Sequence, residues 1–193
     1  MKKFLVMAAL AICSFANAQK GTILVGGNIG YTSEKSEFRF AEAKASTFTF
    51  SPKVGYQFHE NWTVGGELSL SSTDVDNPNE KYKDNKFRTG GFVRYTKSLS
   101  QTFSVFADMG AGFQTVKNKD YAANNSYVRY KGNGAYVDVT PALFINMKKG
   151  FGLNFSIGGL GYETLSYDDN GEDYSNFYFN FGKTFNIGIS KNF

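Results

Sequence analysis

The stretch Phe177–Phe193, FYFNFGKTFNIGISKNF, decides the fold. Phe177, Phe179, Phe181, Phe185, Ile187, Ile189 and Phe193 alternate with Tyr178, Asn180, Gly182, Thr184, Asn186, Gly188, Ser190 and Asn192. A period of two with one apolar and one polar face is the signature of a strand, not of a helix. The run is longer than the ~5 to 6 residues usual for a strand in a soluble protein.

The same period recurs upstream, in segments 22–32, 47–58, 62–72, 87–99, 103–115, 135–147 and 151–162. In each of these seven the apolar members are expected on one parity, as with Phe48, Phe50, Val54, Tyr56 and Phe58, or Phe103, Val105, Ala107, Met109, Ala111 and Phe113. No apolar stripe of helical spacing competes. Composition agrees, because 20 Phe, 12 Tyr and 21 Gly with only 3 Pro favour strands. A mean hydropathy of -0.34 is too polar for a membrane protein built of helices. A barrel alternates lipid-facing and lumen-facing side chains and so keeps a modest average. About 9 to 11 tilted residues cross the hydrocarbon, and every segment is long enough. The expected fold is therefore all-β, an eight-stranded antiparallel up-and-down transmembrane β-barrel.

The amino-terminus fits that placement. Lys2 and Lys3 precede an apolar run from Phe4 to Phe15, and Ala16-Asn17-Ala18 offers a small-x-small cleavage site before Gln19. This reads as a secretory signal peptide over residues 1–18, leaving residues 19–193 as one barrel domain in the bacterial cell outer membrane, reached through the periplasm. The apolar run is too short to span a bilayer as a helix. Cys13 lies inside the expected signal, and Ile12 before it is a poor fit to a lipoprotein signal, so a mature chain without disulfides or thiol chemistry is expected. Losing Lys2 and Lys3 lowers the formal charge from +4 to +2, which gives no reason to expect nucleic acid as a partner.

Connections alternate in length. His59–Asn61, Ser100–Thr102 and Lys148–Gly150 read as tight turns, and 33–46, 73–86, 116–134 and 163–175 as polar loops. Tight turns mark the periplasmic side and long loops the extracellular side. Asn61 and Gly150 suit the left-handed end of a three-residue turn; Thr102 does not, so a longer turn is expected there. Pro52 and Pro141 are expected to mark bulges, since proline cannot donate to a ladder.

The runs Ser51-Pro52-Lys53-Val54-Gly55-Tyr56, Asn61-Trp62-Thr63-Val64-Gly65-Gly66, Gly91-Phe92-Val93-Arg94-Tyr95 and the closing Gly188-Ile189-Ser190 through Phe193 resemble the porin-like outer-membrane β-barrel family, the class of the small barrels OmpX and the OmpA membrane domain. The resemblance covers residues 19–193. It implies insertion by the barrel-assembly machinery, with Gly188, Ile189 and Phe193 in the carboxy-terminal insertion signal. Lys191 departs from the aromatic or aliphatic residue usual two places before the end; at the rim it can snorkel.

The lumen-facing parity contains Lys53, Arg88 and Arg94 against Glu67, Asp108 and Asp138, an expected ion network. A turn centred on Glu60 sets Lys53 across from Glu67, and one centred on Gln101 sets Arg94 across from Asp108. Such pairs neutralise charges that a narrow interior could not hold singly. Eight strands enclose a space that side chains just fill, and Phe92, Phe106, Tyr136, Phe144 and Tyr178 are expected to fill it, which excludes a wide diffusion pore. Enzymes of this architecture rely on histidine as general base, and His59, in an expected periplasmic turn, is the lone histidine. The chain is therefore read as no enzyme, with no cofactor and no metal site; the acidic runs Asp74–Glu80 and Asp168–Asp173 lack the spacing of a complete calcium loop.

Expected function is a structural or surface-contact role in envelope integrity or adhesion, the alternative being a small or transient porin-like channel for ions and small solutes. Expected partners are outer-membrane lipids and lipopolysaccharide, the barrel-assembly machinery and no further subunit, the protein being a monomer. Lys117, Lys119, Arg129 and Lys131 are candidate contacts for lipopolysaccharide phosphates. Tyr31, Phe48, Phe87, Phe113 and Phe177 are expected as an outer aromatic belt.

Overall fold

Alternating side chains commit each segment to a two-faced strand, and unpaired edges in lipid drive those strands to close on one another. The computed structural model describes residues 21–38, 41–77, 80–121, 127–148, 151–168, 173–182 and 186–193. The expected signal peptide, residues 1–18, lies outside the described residues, as does most of Asp168–Asp173.

Ten strands are formed: β1 Ile23–Phe38, β2 Ala41–His59, β3 Trp62–Asn77, β4 Glu80–Ser98, β5 Phe103–Tyr121, β6 Tyr127–Lys148, β7 Phe151–Ser156, β8 Leu160–Tyr167, β9 Tyr174–Phe179 and β10 Asn186–Asn192. Eight of them, β1 to β7 and β10, close into an antiparallel ring, with β10 seated between β7 and β1. The seam pairs Leu24 with Asn192 through Asn28 with Gly188, and Ile23 and Phe193 exchange backbone hydrogen bonds of 3.2 and 3.0 Å. Strands β8 and β9 continue β7 and β10 beyond the ring, β8 pairing with β6 and β9 with β8.

The ring is inside out relative to a soluble protein. Ile29, Phe50, Leu70, Phe113, Phe177 and Ile189 are exposed on the outer face, while Arg94, Asp108, Gln114 and Glu163 are buried within. Tyr31, Phe48, Phe87, Phe113 and Phe177 all lie exposed on that outer face.

Three readings from the sequence are corrected. First, the polar stretches 33–46, 73–86 and 116–134 are largely strand, because pairing runs on to Phe38↔Ala41, Asn77↔Glu80 and Tyr121↔Tyr127. A paired hairpin satisfies its backbone whatever its side chains, and once the outward face turns polar the apolar alternation disappears while the ladder persists. Second, the closing stretch is not one unbroken strand, and the seventh segment does not keep one parity. Leu160 and Tyr162 are exposed together with Phe151, so outward positions change from odd to even numbers. From Ala142↔Ser156 to Val139↔Leu160 the chain advances three residues on β6 and four on its neighbour. That extra residue is a bulge at 157–159, and one inserted residue exchanges the faces of all that follow. The last strand breaks opposite it at 180–182, yet Asn180 N and Gly182 N still bond to Gly159 O and Ile157 O at 3.0 and 2.7 Å.

Third, neither proline sits in a bulge of its own strand. Register across Pro52 is unchanged, Phe50↔Leu70 continuing as Lys53↔Glu67, and the shift in β2 falls at Gln57/His59. Pro141 keeps register with Ala107, and the bulge lies on the other neighbour, between the pairs Ala142↔Ser156 and Val139↔Leu160. Gly158 occupies that bulge at φ 97°, and a Cβ there would lie 2.2 Å from Asn180 O.

Of the tight turns, β4 and β5 are joined by Leu99–Thr102, longer than three residues. Ser100 Oγ accepts hydrogen bonds from Thr102 N and Phe103 N at 3.2 and 3.0 Å, which removes the need for a left-handed residue. Most of Lys148–Gly150 lies outside the described residues.

Candidate functional site: the charged lumen

Inward positions of β2, β3, β4, β5 and β6 bring all six expected network residues into one interior. Lys53 pairs in register with Glu67, and Arg94 with Asp108. The Arg94 guanidinium grips Asp108 with two bonds, Nε to Oδ1 at 2.6 Å and Nη2 to Oδ2 at 2.8 Å. This is the fork geometry that makes arginine a strong carboxylate partner. Lys53 adds a third bond to Asp108 at 2.6 Å and stands 3.6 Å from Glu67, so its closer partner is diagonal, not directly opposite. Glu67 accepts instead from the Tyr136 hydroxyl at 2.9 Å.

Aromatic rings wall this layer. The Arg94 guanidinium carbon lies 3.8 Å from the Phe106 ring centre, and Lys53 Nζ lies 5.0 Å from that of Phe92. A cation against a ring face is attracted to its quadrupole even where water is excluded. Phe92, Phe106 and Tyr136 are buried as expected, whereas Phe144 and Tyr178 are half-buried.

A second ionic layer lies toward the long-strand end. Arg88 bonds Glu163, donates from Nε to Gln114 Oε1 at 3.0 Å, and stands 3.9 Å from Asp138. Lys86 reaches the same Glu163 at 2.6 Å. Reading by parity missed Lys86 and Glu163. Lys86 shares Arg88's parity but stood in a stretch read as loop; Glu163 also stood in one, just past the bulge that exchanges the faces. Beyond this layer Val75, Val116 and Leu165 are buried. At that end burial pushes the Asp84 carboxyl above its ordinary 3.8, attraction to Lys86 pulling the other way, and Asp84 Oδ1 has no hydrogen-bond partner. Burial, and then repulsion from Arg88, lower Lys86.

Between the layers lies a cavity of about 330 Å³. One wall is ionic, from Lys53, Glu67, Arg88, Arg94, Asp108 and Asp138; the other is neutral, with Asn28, Thr49, Ser51, Asn154, Ser156 and Ser190. Asn154 and Ser190 bond each other at 3.1 Å.

Other candidates fall elsewhere. His59 is exposed at the end of β2. No group of three or more His, Cys, Asp or Glu able to hold a metal occurs among the described residues. In the insertion signal, Gly188 is buried at the seam opposite Asn28, while Ile189 and Phe193 face outward. Lys191 Nζ lies 4.2 Å from the Phe193 ring centre, a contact suited to the rim.

An antiparallel ring with an apolar exterior and an ionised, packed interior defines a transmembrane β-barrel. The chain belongs to the outer membrane protein beta-barrel domain family, matched over residues 4–193. No curated protein matches it. Among solved structures it is similar to the translocator domain of autotransporter NalP from Neisseria meningitidis, at 13% identity and a TM-score of 0.47, with 91% of this chain covered. It spans 64% of that domain's length. It is also similar to Ail, the attachment invasion locus protein of Yersinia pestis, solved with the heparin analogue sucrose octasulfate, at 12% identity and a TM-score of 0.48, covering 90% of this chain and 97% of Ail.

Proposed function

We propose that the chain is a non-enzymatic integral protein of the bacterial outer membrane with a structural or surface-contact role in envelope integrity or adhesion. The observation that carries this is the interior, where Arg94, Asp108, Lys53, Phe92 and Phe106 pack together and narrow the middle of the ring with ion-paired and aromatic side chains. The long strands β1 to β6, 16 to 22 residues against the about 9 to 11 needed to cross, support a wall standing above the membrane at the extracellular end. In this reading residues 1–18 direct export to the periplasm and are removed, and the barrel-assembly machinery inserts residues 19–193 as a monomer, reading Gly188, Ile189 and Phe193. Lipids and lipopolysaccharide surround it, and it uses no nucleic acid, cofactor or metal. A strain lacking the protein should lose resistance to detergents and large antibiotics, or lose surface adhesion, and regain it with the intact gene. Unchanged resistance and unchanged adhesion would remove this role.

A second reading, a small or transient conductance, is favoured by the cavity of about 330 Å³ and by cations with alternative partners: Lys53 between Asp108 and Glu67, Arg88 between Glu163 and Asp138. Re-pairing could open a path without unfolding the ring. Arg94→Ala should then raise any current in a planar bilayer; an unchanged current would exclude this mechanism.

A further inference from the structure

Where β4, β5 and β6 rise past the outer aromatic residues, their outward face turns from apolar to basic within four residues. Phe87, Phe113 and Ala135 give way to Asn85, Lys117 and Lys131, which stand in register side by side across the three strands. Lys117 and Lys131 are directly opposed like charges, an arrangement that costs stability unless an anion sits between them. Lys83 is paired with Asp74 at 3.0 Å and Lys86 with Glu163, but no carboxylate among the described residues pairs with Lys117 or Lys131. The next outward pairing sets Lys119 against Arg129.

Directly below is a groove of about 470 Å³ with two chemistries. Phe48, Leu70 and Phe87 line its apolar part, and all three are exposed. Lys117 and Lys131 line its basic part. Ser72 Oγ bonds Asn85 Oδ1 at 3.1 Å, which leaves the Asn85 amide NH2 as a further donor beside Lys117. A soluble anion would have no use for the apolar part, and an uncharged lipid none for the lysines.

We propose that this groove binds a phosphorylated lipid of the outer leaflet, with an acyl chain along Phe48, Leu70 and Phe87 and a phosphate bridging Lys117 and Lys131. The assignment rests on the outer-membrane reading given above, with the long-strand end outside the cell. It adds one defined lipid position to what would otherwise be a general solvent shell of lipid.

The test uses refolded barrel in detergent, incubated with bis-phosphorylated lipid A or with lipid A stripped of phosphate, bound lipid being counted by native mass spectrometry. Each charged hydrogen bond lost should cost roughly tenfold in affinity, so the stripped lipid and the variant Lys117→Gln/Lys131→Gln should each bind at least about tenfold more weakly. Phe87→Ala should also weaken binding, and Lys97→Gln, on the same strand at the opposite end, should not. Equal binding of both lipids, or full binding by the double variant, would overturn the site. Competition by inorganic phosphate with Phe87→Ala unaffected would reduce it to a bare anion site and overturn the lipid assignment. Heat-sensitive gel migration reads folding separately: a wild-type chain that never shows it sinks the membrane reading, while a folded variant that has lost lipid speaks only to the groove.

Discussion

Asp108 is buried and holds Arg94 by two bonds and Lys53 by a third. Removing one partner of a buried pair leaves an uncompensated charge, so Asp108→Ala should destabilise the barrel by about 3 to 5 kcal/mol in urea unfolding from micelles. A loss within the error of wild type would show that water reaches these groups. Asp84 behaves in the opposite sense. Its folded carboxyl holds a proton more tightly than the unfolded chain does, so its contribution is present below 3.8 and is lost as pH rises through the raised value. Asp84→Asn should therefore flatten the fall in stability over that window; an unaltered pH profile would contradict the burial.

At the scale of elements, the sequence shows strands clearly wherever the outward face is apolar, and poorly where it is polar. Phe103 through Phe113 announce β5, yet its continuation through Lys117 and Lys119 is equally well paired and carries no alternation to read. Register was legible from turn centres, as Lys53↔Glu67 and Arg94↔Asp108 attest, because counting back from a turn needs no knowledge of packing. The bulge at 157–159 was not legible, since one inserted residue leaves no mark in the alternation until the faces have already changed, and Glu163 beyond it stood in a stretch read as loop. Gly158 is the residue this bulge depends on. Gly158→Ala forces a side chain into a left-handed backbone against Asn180 O and should cost about 1 to 3 kcal/mol by the same unfolding assay. A neutral effect would mean that β7 and β8 form one regular strand.

For the molecule as a whole, ring closure and lumen filling are linked. Eight strands leave room for side chains but not for a water column, and the charged interior is tolerable because its ions neutralise one another. In the reading proposed above, the long-strand end then presents a basic outer face without a permeation cost. The most direct test of this account is planar-bilayer conductance of refolded protein, with folding first confirmed by heat-sensitive gel migration. A closed, filled ring predicts a silent bilayer; reproducible single-channel steps from folded wild-type protein would contradict it.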